Sequence, residues 1–234
     1  MNNSETSALS RRAFLATSGA LVVTLASSSD WPAEAAPTNG LAARPPLKGD
    51  KLSSYITIDA DGTVVAYYGK IDGGQGLETS IAQMVAEEIE VPYERVRVVM
   101  GDSGLTLDMG GASAAIGVSH GGMMLRRTAA EARRLLIDMA SASLGVPADA
   151  LTVTDGVVHA RSDAGKRISY ADLIGGRYFD NAVNWNGRLS NGLQVEVQAP
   201  LKKPSEFKVI GQSFPRKDLP KKVFAELEYV NDVR

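Results

Sequence analysis

The chain has 234 residues, 44% hydrophobic and 22% charged, an ordinary globular composition. A net charge of −2 and a pI near 5.8 leave no basic footprint for nucleic acid, and 6% aromatic content argues against base-stacking platforms. The lack of cysteine excludes disulfides, thiolate nucleophiles, thiolate-bound zinc and any iron–sulfur cluster held by this chain; His120 and His159 stand far apart, so no protein-ligated metal is expected.

Ser10-Arg11-Arg12-Ala13-Phe14-Leu15 precedes an apolar run from Ala16 to Ala26, and Ala33-Glu34-Ala35 offers a small-residue cleavage site. A basic start, a short apolar stretch and an Ala-x-Ala site define an export signal over residues 1–35. The paired arginines mark the twin-arginine route, which carries folded proteins, so a periplasmic location is expected. The run is too short and too rich in small residues for a membrane span; an uncleaved anchor is the alternative. Residues 36–51 are aperiodic and read as a linker.

Tyr55–Ile58 and Thr63–Tyr67 flank Asp59-Ala60-Asp61-Gly62, a hairpin signature. The second strand continues into Gly69-Lys70-Ile71-Asp72-Gly73-Gly74-Gln75-Gly76, and an amphipathic helix opens near Leu77. Strand, glycine-rich turn and helix start together make an anion receptor, because main-chain N–H groups can approach a ligand with no Cβ in the way. The wording is neither a phosphate loop with Lys-Ser/Thr nor a Gly-x-Gly-x-x-Gly fingerprint, and a plain strand-to-helix connection is the competing reading. Gln75 favours the binding reading, since its amide offers both a donor and an acceptor.

Leu77, Ile81, Met84, Val85 and Ile89 share one helix face, while Thr79, Ser80, Glu87 and Glu88 sit on the others. Val91-Pro92 stops the helix, and Val96–Met100 reads as a strand. Asp102 to Ser119 is a long, small-residue loop with two charges, expected to be functional and partly buried. A second helix spans about Gly121 to Leu144, with Leu125, Thr128, Ala132, Leu135, Leu136 and Met139 inward and a solvated face of Arg126, Arg127, Glu131, Arg133 and Arg134. Leu151–Thr154 and Val157–Ala160 around Asp155-Gly156 form another hairpin, and His159 on it receives no catalytic role. Ser169 caps a short helix with Asp172 at its third position. Ala199 to Asp218 reads as an extended crossing segment and domain boundary, and alternation resumes from Lys222.

Gly74-Gln75-Gly76 with Thr79, Gln83, Glu87-Glu88 and a strand ending Gly101-Asp102 resembles the cofactor motif of the xanthine dehydrogenase and aldehyde oxidase molybdenum hydroxylases. The isoquinoline 1-oxidoreductase type of large subunit is the most similar branch, and the likeness runs from about Tyr55 to Arg234. It implies an α+β fold of β-hairpins packed with two amphipathic helices over residues 52–198, with the start of an α/β hammerhead domain in 199–234, entered through Pro215-Arg216-x-Asp218. It implies molybdopterin carrying molybdenum, in the cytosine dinucleotide form, with Gly74, Gln75 and Gly76 on the pterin or metal side and Gly111, Ala112 and Ser113 near the dinucleotide phosphates.

The same resemblance implies oxidation of aldehydes or N-heterocycles with water-derived oxygen, alongside a cytochrome c acceptor, the rest of the large subunit and a small iron–sulfur subunit. The family's late catalytic glutamate has no match in this chain, so no catalytic residue is assigned; Glu87 and Glu88 lie inside a helix and do not fit that role. Asp72-Gly73 departs from the Glu-Met or Glu-Leu of many relatives. Two rival readings are a periplasmic binding or assembly module that keeps only the fold, and a flavin or nucleotide enzyme using the same loop.

Overall fold

The structure, a computed structural model, describes residues 44–174, 176–226 and 228, so the expected export signal and residues 36–43 of the expected linker lie outside the described residues. β1 (Ile56–Ile58) and β2 (Val64–Tyr68) pair antiparallel through the Asp59–Gly62 turn, as the turn residues predict. Every residue of both strands is buried. β2 then leads into α1 (Leu77–Ile89), which crosses back to β3 (Val96–Met100).

β3 lies parallel to β2, with Val64 opposite Val96 and Tyr68 opposite Met100. The expected hairpins therefore account for only part of this sheet. A connection that contains a helix returns the chain to the same end of the sheet, and parallel pairing is the outcome. Ile81, Val85 and Ile89 of α1 join β1 and β2 in one core with Leu125, Ala129, Ala132 and Leu136 of α2 (Met123–Leu144).

The predicted start of that helix is corrected by two residues, because Gly117–Gly122 forms a π-helical turn before it. Gly145 ends α2 in the left-handed conformation, as expected of a C-terminal glycine. β4 (Leu151–Thr154), β5 (Val157–Ala160) and β6 (Arg167–Ser169) form a second antiparallel sheet. Its first turn has φ of 51° at Asp155 and 78° at Gly156, the geometry that an Asp-Gly pair supplies. Ser169 caps α3 (Tyr170–Ile174), accepting from the Asp172 N–H at 3.1 Å and donating to its carboxylate at 2.6 Å. β7 (Asn184–Trp185) pairs with β8 (Val195–Glu196). The alternation expected from Lys222 begins inside a short helix, α4 (Leu219–Val223), and mostly falls outside the described residues.

The solvated arginine face expected of α2 is overturned, and two glutamates of α1 are buried. Glu87 and Glu88 are 1% and 0% exposed, and Arg126, Arg133 and Arg134 are tied to carboxylates rather than forming a solvated face. The cause is the segment after Gln198, which runs extended without a strand partner and must satisfy its N–H groups elsewhere. Glu131 accepts from the N–H groups of Gln198 and Ala199 at 3.1 and 3.0 Å, and Glu88 from that of Lys202 at 3.2 Å. One oxygen of Glu87 receives the N–H groups of Lys208, Val209 and Ile210 at 2.8, 2.7 and 3.0 Å.

The Lys202 ammonium reaches Glu87 at 3.3 Å and Glu90 at 3.0 Å, and Arg126 reaches Glu88 at 2.6 Å. Neighbouring Glu87 and Glu88 do diverge on the helix, each holding a different stretch of the same strap. Burial pushes the Glu87 carboxyl up, but its main-chain donors and the Lys202 ammonium prevail and hold it below the ordinary value. Such a group adds stability above its unfolded pKa, and that stability is lost as pH falls through the folded value. Glu87→Ala is expected to cost about 2–4 kcal/mol in urea denaturation at neutral pH. It should also speed amide exchange at Lys208 to Ile210, and unchanged exchange there would show that the strap is held by other means.

Candidate functional site

The parallel pair puts the C-terminal ends of β2 and β3 side by side, and a candidate loop leaves each. In open sheets of this kind, ligands collect beyond the carboxyl ends of parallel strands. Gly101 donates to the Tyr68 carbonyl at 2.9 Å, closing the gap between the loops. At Gly69 a Cβ would stand 1.7 Å from the Leu107 carbonyl oxygen, so only glycine allows the crossing. Leu107 and Met109 are buried beneath it, which fits the partial burial expected of the second loop.

In the first loop, Gly74 and Gly76 have φ of 108° and 84°, conformations that favour glycine. The expectation that their N–H groups await an external anion is corrected. Asp72 accepts from Gly74 and Gly76 at 2.8 and 3.2 Å through one oxygen, and from Glu78 at 3.3 Å through the other. Burial raises the Asp72 carboxyl, yet the N–H groups of Gly74, Glu78, Gly76 and Leu77 outweigh that and hold it below its ordinary value. The start of α1 is thus capped from within. The Gln75 residue is exposed, and the Gly74 carbonyl receives Arg216 at 3.0 Å.

The second loop is different. Gly110 has φ of 78°, and Ala114 and Ala115 hold φ of 51° and 57°, a conformation costing about 1–2 kcal/mol per non-glycine residue. Gly111, Ser113, Ala114 and Ala115 are exposed, and among the described residues the main-chain N–H groups from Gly111 to Ala115 donate to no protein acceptor. The π-helical turn follows at once. It seats closely because a Cβ at Gly117 would meet Leu77 at 2.7 Å and one at Gly121 would meet the Tyr68 ring at 2.7 Å. Free donors on a left-handed turn at a helix start suit an anionic group such as a phosphate.

Two residues that sequence reasoning missed, Lys70 and Arg216, complete the region. Lys70 is buried, and its ammonium donates to the Gly111 carbonyl at 2.9 Å and to Asn191 Oδ1 at 2.8 Å, so it links both candidate loops. Arg216 leans over Gly76 while pairing with Asp218 at 2.6 Å. Only Lys70 carried a signal, a lysine set among glycines. A cleft of about 630 Å³ lies alongside, lined by Ser119, His120, Met123, Arg127, Asn191 and Gln194. His159 meets Thr154 at 3.2 Å on an exposed hairpin. Among the described residues no cluster of three side chains able to hold a metal ion occurs, and no helix is long and apolar enough to cross a membrane.

Two glycine-bearing loops thus meet at the carboxyl ends of parallel strands, one capped from within by Asp72 and the other with free main-chain donors. Residues 35–216 match the family model described as "Molybdopterin cofactor-binding domain", and the chain belongs to that family. One of the nicotinate dehydrogenase polypeptides of Pseudomonas putida is 35% identical over 190 residues, 81% of this chain and 15% of that protein. The isoquinoline 1-oxidoreductase β-subunit of Brevundimonas diminuta is 30% identical, over 98% of this chain and 32% of that protein. Quinoline 2-oxidoreductase from Pseudomonas putida 86 has a TM-score of 0.42 at 27% identity, over 51% of this chain and 15% of that one. The chain therefore spans less than a third of the length of these relatives.

Asp72 yields a direct test of the capped turn. A carboxyl held low contributes stability above its unfolded pKa and loses it as pH falls through the folded value. Asp72→Ala should lower stability by about 1 kcal/mol at pH 7, and the gap to the wild type should begin to narrow below about pH 4 and close as pH falls through the lowered folded value. Urea denaturation across that pH range measures it.

Proposed function

We propose that this chain is the cofactor-gripping portion of the large subunit of an exported molybdenum hydroxylase, which oxidises aldehydes or N-heterocyclic aromatics with oxygen drawn from water. The observation that carries this reading is the juxtaposition of the Gly74-Gln75-Gly76 loop and the donor-rich Gly111–Ala115 turn at one sheet end, in a chain of the molybdopterin-binding family. The names of the relatives, a nicotinate dehydrogenase and an isoquinoline oxidoreductase, support N-heterocycles as the substrate class.

In this reading the N–H groups of Gly111, Ala112 and Ser113 hold the phosphates of molybdopterin in its cytosine dinucleotide form. Gln75 offers its amide to the pterin side. When bound, the group supplies the molybdenum at which oxygen transfer occurs. Asp72 keeps the first loop rigid, and Leu107 and Met109 exclude water from beneath the second. Glu87 and Glu88 are committed to the strap, so the proton-accepting base belongs to another part of the large subunit. A small iron–sulfur subunit would receive the electrons and pass them to a cytochrome c. Residues 199–234 begin a hammerhead domain, and Arg11-Arg12 directs twin-arginine export to the periplasm.

Elemental analysis with pterin release on the native complex is the test. Molybdenum stoichiometric with the large subunit is expected, and active protein free of molybdenum would overturn the reading. Gln75→Ala should lower molybdenum content while leaving stability within about 0.5 kcal/mol, as for an exposed side chain.

A further inference from the structure

Lys70 is 2% exposed, yet no carboxylate among the described residues lies within ion-pair distance of its ammonium. Arg126 and Lys202 differ, the first paired with Glu88 and the second with Glu87 and Glu90, whereas Arg44 and Lys217 also donate to main-chain carbonyls but lie against the rings of Tyr67 and Tyr93. Lys70 is held by two neutral oxygens, those of Gly111 and Asn191, which leaves one of its three donors over. Burial lowers its pKa, and the nearby Asp108 offsets that only in part. A buried cation with no carboxylate in ion-pair contact is costly, and such groups persist where a partner supplies the charge.

The geometry says where that partner would sit. The peptide joining Gly111 to Ala112 is trans, so its C=O and N–H point in opposite directions. With the carbonyl fixed on the Lys70 ammonium, the Ala112 N–H is turned away from the buried side. Donation from an ammonium also polarises that peptide and strengthens its N–H as a donor. The arrangement is fixed in place: Gly110 receives the Asn191 side chain where a Cβ would stand 2.3 Å from Oδ1, and Ser190 donates to the Asp108 carbonyl at 2.8 Å.

We infer that Lys70 is the positioning residue of the anion turn, aiming the Ala112 N–H outward and placing a positive charge with no ion-pair partner beneath a phosphate-bearing ligand. This rests on the reading of Gly111–Ser113 as the phosphate-holding turn. It adds a charged group, on a different strand end, to a turn otherwise made of main chain.

The test uses the complete complex stripped of cofactor, with inorganic pyrophosphate as ligand and amide exchange of residues 110–116 as readout. Pyrophosphate should protect the wild-type turn saturably, and Lys70→Met should weaken the apparent affinity about tenfold or more. Lys70→Arg, which keeps the charge, should recover most of the protection. Asn191→Ala, which breaks the other contact but leaves the ammonium, should change affinity by no more than about twofold. Equal binding by wild type and Lys70→Met would overturn the inference, as would equal loss in Asn191→Ala, which marks a packing role alone. If Lys70→Met does not fold, the comparison of Lys70→Arg with Asn191→Ala decides in the same terms. A wild-type complex that carries pterin but shows no pyrophosphate protection overturns this inference alone, whereas a complex without pterin overturns the proposed function and leaves the pyrophosphate result to judge Lys70.

Discussion

The parallel pairing of β2 with β3 is the constraint on which the rest of this molecule depends. Had β3 returned antiparallel, the loop after Met100 would leave the opposite end of the sheet from the loop after Tyr68. Five matched residues, from Val64 opposite Val96 to Tyr68 opposite Met100, instead bring Gly69 and Gly101 together. From there the crossing at Leu107, the Lys70 contact to Gly111 and the seating of the π-helical turn on Tyr68 and Leu77 all follow. The register is secured from both sides, because every residue of β2 is buried and a slip by one residue would exchange its faces.

Helix α1 serves two purposes with two faces. Its apolar stripe through Ile81, Val85 and Ile89 completes the core. Thr79, Gln83 and Glu87 recur every four residues on another face, and all three engage the strap. Thr79 Oγ1 accepts from the Lys217 N–H at 3.4 Å, Gln83 donates to the Val209 and Gln212 carbonyls at 3.2 and 3.0 Å, and Glu87 takes three N–H groups. The stretch that carries the family resemblance is thus only partly about a ligand. Its helical portion closes the chain's own extended segment over the helix, and Arg216 at the end of that segment reaches back to Gly74.

Much of this was legible in the sequence, for identifiable reasons. Apolar residues at helical spacing located α1 and α2, and Asp-Gly between alternating strands located the β4–β5 turn. The Ser169–Asp172 pair marked α3. What stayed hidden depended on partners distant in sequence. Glu87, Glu88 and Glu131 look like surface charge until the N–H groups of residues 198 to 210 arrive beside them. Strand direction was equally hidden, since β2 and β3 have the same composition whichever way they pair. The role of Asp72 was within reach: a carboxylate just ahead of a glycine turn and a helix start is a natural acceptor for the free N–H groups there.

That carboxylate creates an asymmetry between the two loops. The loop after β2 neutralises its own helix start with Asp72 and presents the uncharged amide of Gln75 to solvent. The loop after β3 leaves its donors free, strains Ala114 and Ala115 into the left-handed region, and sits over a buried ammonium. At the first loop an anion meets the Asp72 carboxylate and N–H groups already taken, and the cation there, Arg216, is paired with Asp218. A guest with a neutral heterocycle at one end and phosphates at the other suits both loops at once. On the proposed function, the pterin end of the ligand would meet the uncharged amide at the first loop and its phosphates the free donors at the second.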